Sequence, residues 1–274
     1  MAKYALFCIF VAAMFNSCQT NTTSDSKATP ITDLKTLPNG MWGKWKNKTY
    51  YDQLTLTHSP RATNYYPCAI LNIDTSIQSQ VSVIDSDHNA AGADVAQFMD
   101  GTVSIAAKNA TLKLTENQQN LLWHDATQNR NYVFERMSSV CLYDDNPLRY
   151  QVIARCPLNE AVFYGWYYKL NQQNQLTNQL VIFNNGGAVR GLDPNMDMYR
   201  ICVDEKCKQL SKIDLVWFTE PNTHAPIDSS NFSRYYTWAF SGDTLHLYTT
   251  QNAGTATQPN LVKDKLYTNL IRKK

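Results

Sequence analysis

Tyr235-Tyr236-Thr237-Trp238-Ala239-Phe240, turned by Ser241-Gly242-Asp243 into Thr244-Leu245-His246-Leu247-Tyr248, is the stretch on which the fold is decided. Successive side chains on a strand point to opposite faces. Tyr236, Trp238 and Phe240 therefore share one face, and Leu245 and Leu247 lie beside them across a hairpin. The rest of the chain repeats this style in short alternating runs. In the first half they are Tyr51–Thr57 (with Leu54 and Leu56 two apart), Cys68–Ile73, Val81–Ile84, Thr102–Ala106, Ala110–Thr115, Leu121–Asp125 and Arg130–Arg136. A second series comprises Val162–Tyr168, Gln179–Phe183, Met198–Cys202, Ile213–Phe218 and Lys263–Leu270, with Asn184-Asn185-Gly186-Gly187 as a strong turn signal. Short strands at regular spacing predict an all-β, antiparallel fold, a sandwich or a barrel.

Two segments depart from that rhythm. Ala90–Met99 carries Ala91, Val95, Phe98 and Met99 at helical spacing with Gly101 just beyond, which predicts one short helix lying on the first sheet. Residues 138–160 form a connector, with a short strand over Tyr150–Ala154. The two series are loosely alike, each opening on a glycine–tryptophan cluster, Gly43-Lys44-Trp45 and Gly165-Trp166.

Composition bounds the partners. Among 274 residues the net charge is +2 and only 18% are charged, too mild a balance to imply nucleic acid. Sixteen tyrosines and six tryptophans against ten glycines suit half-buried pleated surfaces. At the N-terminus, Lys3 precedes an apolar run from Ala5 to Phe15, too short to span a bilayer, which takes about 20 residues. Ser17-Cys18 follows it. The segment resembles the signal of bacterial lipoproteins; an ordinary secretory signal containing a cysteine is the alternative. The resemblance implies a signal peptide over 1–17, acylation of Cys18 (a palmitate-type anchor), and a place in the bacterial cell envelope. Gln19 in place of Asp after that cysteine implies the outer membrane ahead of the inner. Residues 18–40, rich in Thr, Ser and Asn, then serve as a flexible tether reaching about 25 Å.

Export permits disulfides. Cys202 and Cys207 flank a polar turn and are one candidate pair; Cys141 and Cys156 are the next. Cys68 is left as the odd, buried thiol.

Gly43-Lys44-Trp45 also resembles the Gly-x-Trp on the first strand of the calycins, the lipocalin and fatty-acid-binding-protein group. Arg130–Arg136 is similar to their closing strand, and Tyr235–Tyr248 to late hairpins of small lipocalin-like lipoproteins. The resemblance implies two tandem small up-and-down barrels, one over 41–137 and one over 161–274, with Trp45 packed in the closed end of the first.

Chemistry is thin. No Gly-x-Ser-x-Gly, His-Glu-x-x-His, Walker or Gly-x-Gly-x-x-Gly motif occurs. The five histidines are scattered, and His124 and Asp125 face opposite ways on a strand. Asp85–Asn89 opens like a calcium loop but has Ala90 and Ala96 where Gly and Glu are needed. The expectation is a non-enzymatic protein without cofactor or metal. It binds a small apolar or amphipathic ligand through Trp217, Tyr236, Trp238 and Phe240, with Phe98 and Met99 as a lid. The alternative is a protein-interaction or inhibitor lipoprotein with solid barrels, contacting its partner through Tyr-rich loops such as residues 64–67.

Overall fold

The computed structural model describes residues 40–63, 68–73, 80–84, 90–99, 101–137, 150–219, 232–255 and 257–274. Cys18, Cys141, the loop at 64–67 and the turn at 85–89 lie outside them. Two closed antiparallel barrels of eight strands follow one another along the chain. The first runs β1 (Gly43–Asn47), β2 (Ile70–Ile73), β3 (Gln80–Ile84), β4 (Ala90–Met99), β5 (Thr102–Ile105), β6 (Ala110–Leu114), β7 (Asn120–Asp125) and β8 (Arg130–Arg136). Each strand pairs with the next, and β8 closes on β1 with Asn47 opposite Phe134. The second repeats this topology with β9 (Gly165–Leu170), β10 (Leu176–Phe183), β11 (Ala188–Asp193), β12 (Met196–Cys202), β13 (Leu215–Thr219), β14 (Tyr235–Ser241), β15 (Thr244–Asn252) and β16 (Leu261–Arg272). Closure leaves no strand edge unpaired, which resolves the sandwich-or-barrel choice. The deciding hairpin forms as expected, with Trp238 opposite Leu247 and Phe240 opposite Leu245.

Three elements differ from their expected form. Tyr51–Thr57 belongs to a helix, α1 (Lys48–Thr57). Asn47 caps it, its side chain accepting from the Tyr50 N–H at 3.1 Å. Tyr50, Tyr51 and Leu54 are buried while Leu56 is 82% exposed, so the apparent alternation of leucines was a coincidence of spacing. The short helix of the first barrel is thus α1, and Ala90–Met99 is strand β4, with Ala96 opposite Ile105 and Met99 opposite Thr102. Gly101, taken as a helix stop, sits at φ +78° where β4 turns into β5. Without β4 the facing edges of β3 and β5 would lack hydrogen-bond partners, and closure of the barrel overrides a weak helical period. Tyr150–Ala154 opens a second helix, α2 (Tyr150–Val162), rather than a strand. A third, α3 (Glu205–Leu210), is capped by Asp204, which accepts from the Cys207 N–H at 3.0 Å.

The start of each barrel carries the same lock. In the first, Trp45 is fully buried and donates Nε1–H to the carbonyl of Met41, four residues back, at 2.9 Å. Arg136, last residue of β8, lies 4.3 Å over its ring and donates to the carbonyl oxygens of Trp42 (2.8 Å) and Gly40. In the second, the buried residue is Tyr167: its hydroxyl donates to Phe163, again four back, at 2.9 Å. Arg272, last residue of β16, lies 5.4 Å over that ring and reaches the Tyr164 carbonyl at 3.4 Å. Two residues before each ring stands a glycine, Gly43 at φ +120° and Gly165 at φ +148°. A Cβ on Gly43 would come within 3.0 Å of Arg136. The second barrel therefore does contain the Gly-x-aromatic pattern. Trp166 is its middle residue and 51% exposed; Tyr167 is the counterpart of Trp45.

Large side chains pack the described parts of both interiors. Trp45, Leu71, Val83, Val103, Leu112, Trp123 and Phe134 have no exposed surface, so no water-sized void borders them. In the second barrel Phe183 meets Phe163, Tyr167 and Tyr199 at ring distances of 5.2–5.7 Å.

Cys202 and Cys207 form a disulfide, with Cα atoms 5.5 Å apart, across the start of α3. Cys156, on α2, is also disulfide-bonded, and Cys68 is buried. Among the described residues no helix is long and apolar enough to cross a membrane.

Candidate functional site at the mouth and outer face of the second barrel

The six residues expected to hold a ligand are spread over several places. Phe98 and Met99 lie on β4 of the first barrel, opposite Val103 and Thr102. Trp217 is buried on the outside of β13, in a small cluster with Leu210, Leu215, Tyr235, Leu261 and the Cys202–Cys207 pair. Trp238 and Phe240 lie toward the β14–β15 turn. Trp238 packs edge-on to Phe163 at 4.9 Å and donates to the His58 carbonyl at 2.8 Å; Phe240 lies 4.0 Å from the His58 ring. Both are engaged by the residue that ends α1 of the first barrel.

Tyr236 faces the opposite end, where the β9–β10 and β11–β12 turns lie. Its ring packs against Phe218 at 5.3 Å and Tyr267 at 5.1 Å, both edge-on. Tyr267 donates its hydroxyl to Asp193 Oδ2 at 2.8 Å, and Asp193 Oδ1 accepts the Asn195 N–H at 2.9 Å. These two bonds hold the Asp193 carboxyl below its usual pKa, helped by Lys169 nearby. Burial, and then the Asp193 charge, push the Tyr267 phenol well up; burial does the same to Tyr236. Asp197, two residues before inward-facing Tyr199, has its Oδ1 buried without a donor among the described residues. The described part of the mouth is thus an aromatic rim beside a carboxylate held below its usual pKa, a group that accepts hydrogen bonds or faces a cation. Asp193 serves a turn, as its Asp-Pro-Asn setting suggests. Its link to Tyr267, 74 residues on, carries no local signal.

The outer face is a second feature. Because Tyr167, Val181, Phe183 and Leu270 point inward, their neighbours Trp166, Tyr168, Leu180, Ile182 and Ile271 point outward. Register sets Trp166 beside Ile182, Tyr168 beside Leu180 and Ile271, and Leu170 beside Leu176. Trp166 and Leu176 are 51% and 63% exposed, the others half-buried. The result is an apolar stripe across β10, β9 and β16. Lys273, 5.1 Å from the Trp166 ring, and Arg190, opposite Ile182, stand at its end. The first barrel presents polar rows instead, such as Thr111, His124 and Asn131, with His124 Nδ1 bonded to Asn131 Oδ1 at 2.8 Å.

Among the described residues no three of His, Cys, Asp and Glu gather as a metal site. Comparison of the chain with family models, curated proteins and solved structures finds no match to any of them.

Proposed function

We propose that this is a lipid-anchored protein of the bacterial cell envelope, without catalytic activity, whose second barrel binds a protein partner through the apolar stripe of β10, β9 and β16. The stripe carries the reading. A run of aromatic and aliphatic side chains on the outside of a closed barrel has no internal packing role, and contiguous exposed apolar patches mark interaction sites. Trp and Tyr at its centre are the residue types that dominate binding energy. The cations Lys273 and Arg190, which form no salt bridge among the described residues, favour a partner with an acidic rim. The close packing of the described interior residues supports a scaffold more than a carrier.

The test is purification of the acylated chain from envelope extracts beside a Trp166→Ser/Leu176→Ser variant. A stoichiometric protein retained by the first and lost by the second supports the reading. Equal recovery with both, or transfer of the stripe's function to lipid vesicles, overturns it. The anchor is tested separately: Cys18→Ala should move the chain from the membrane to the soluble fraction.

A second reading rests on the mouth. The Asp193–Tyr267–Tyr236 rim suits an amphipathic molecule with a cationic or hydrogen-donating head. A long-chain amine that quenches tryptophan fluorescence saturably, and tenfold more weakly after Asp193→Asn, would favour it; no saturable response would sink it.

A further inference from the structure

We propose that Arg155 and Arg200 form a binding site for a small oxyanion, phosphate or carboxylate, in the seam between α2 and the corner where β12 leads into α3. Arg155 is 8% exposed, yet its Nε and Nη1 are buried with no acceptor among the described residues. Arg200 follows Tyr199 on β12, and a Cβ on Gly187 would lie 2.9 Å from the Tyr199 carbonyl oxygen and 3.6 Å from Asn159 Nδ2, so α2 meets β12 at this point. The Arg200 Nε is likewise buried with no acceptor among the described residues. The carboxylate facing them is Asp204, and both its oxygens are engaged. Oδ1 accepts from the Cys207 N–H at 3.0 Å, and Oδ2 meets Arg200 Nη2 at 3.4 Å. Two guanidinium charges therefore confront one carboxylate that is already shared with a helix cap.

The other arginines of the fold show what a structural role looks like. Arg136 donates to two backbone carbonyls, Arg272 Nη2 to the Tyr164 carbonyl and the Tyr167 hydroxyl, and Arg61 Nη2 to the Cys207 carbonyl at 3.1 Å. Each leaves at most its Nε buried without an acceptor among the described residues. Arg155 makes no such bond among the described residues. Burying a guanidinium with open donors is costly unless an acceptor arrives. One helical turn along α2, Asn159 donates to the Asn185 carbonyl at 2.9 Å, so this face of the helix is packed onto the β10–β11 turn. The Arg200 side chain is 29% exposed, which gives the seam a path to solvent. Burial and the neighbouring Arg200 charge together bring the Arg155 pKa down to about 9, the shift an anion between the two would reverse. An oxyanion supplies the acceptor atoms that the described residues of the seam lack, and arginine takes phosphate and carboxylate through several donors at once.

The experiment follows the thermal midpoint of the full acylated chain in detergent against inorganic phosphate and, separately, acetate, with ionic strength held constant by chloride. A saturable rise with phosphate alone identifies phosphate, and with acetate a carboxylate; either supports the site. In Arg155→Met the apparent affinity should fall at least tenfold, and in Arg200→Gln by a smaller factor. Arg155→Lys, which keeps the charge but not the planar donors, should fall between. No saturable rise over chloride, or an equal rise in Arg155→Met, overturns the proposal. Because Arg155→Met removes a buried charge, the variant is expected to fold, and near-ultraviolet circular dichroism checks it.

Discussion

Tyr167 stands where the first barrel has Trp45, and the exchange changes what the arginine above the ring can do. An indole offers Arg136 only its face, at 4.3 Å, while its N–H is spent on Met41. A phenol offers Arg272 an acceptor as well: Arg272 Nη2 donates to the Tyr167 oxygen at 2.8 Å while that hydroxyl donates to Phe163. The tyrosine therefore links the arginine of β16 to the chain before β9, a two-bond chain that the tryptophan lacks. Tyr167→Phe removes both bonds and leaves a buried carbonyl at Phe163 without its donor. The expected cost is about 1–2 kcal/mol, read as a lower urea midpoint with unchanged slope. Trp45→Phe, which also loses its single bond, should add a cavity cost, since an indole is larger than a phenyl ring.

Local patterns survive from sequence to element where the partners are close in the chain. The hairpin of β14 and β15 and the Cys202–Cys207 bridge could be read because every residue that decides them lies within a few positions. Non-local pairing is where the sequence falls silent. Ala90–Met99 has a helical period, but its role is fixed by β3 and β5, and small residues suit either state. Leu54 and Leu56 alternate like a strand, yet the Asn47 cap and the burial of Tyr50 with Leu54 make α1. At the mouth, Tyr236 was legible as an aromatic in the right hairpin; Asp193 and Tyr267, which give the site its charge, come from distant strands and were not. The same holds for Trp238 and Phe240, whose partner His58 lies in the other barrel. His58 ends α1 in the left-handed region at φ 51°, its N–H on the Leu54 carbonyl. Burial lowers its pKa, with the Arg272 charge acting in the same direction against a backbone hydrogen bond at Ala161. A histidine whose folded pKa is depressed binds its proton more readily when unfolded. Its contribution is thus complete above about pH 6.5 and lost as pH falls through the lowered value. Urea midpoints measured from pH 7.5 down to 5 should decline, and His58→Asn, which tolerates the left-handed backbone, should flatten that decline.

Across the whole molecule, the arm that follows β1 binds the barrels to each other. Beyond His58, the Ser59 hydroxyl donates to Asp214 Oδ2, the Arg61 N–H reaches Asp214 Oδ1 at 3.1 Å, and Arg61 Nη2 reaches the Cys207 carbonyl. Asp214 precedes β13, and Cys207 lies on α3, so one short arm of the first half holds two elements of the second. The described residues from Gly40 to Lys274 accordingly belong to one compact unit. Two barrels with separate cores would unfold independently if joined only by a connector, whereas a shared interface couples them. Calorimetry of the full chain should give one transition whose calorimetric and van't Hoff enthalpies agree. Asp214→Ala leaves Ser59 and Arg61 without their acceptor, and Trp238→Phe leaves the His58 carbonyl without its donor. Together they should split the trace into two transitions while each barrel keeps its own circular dichroism signature. The split would locate the coupling in the arm. A single transition in the double variant would instead place it in the packing of α1 against α2, and Leu54→Ala would then be the variant that divides the molecule.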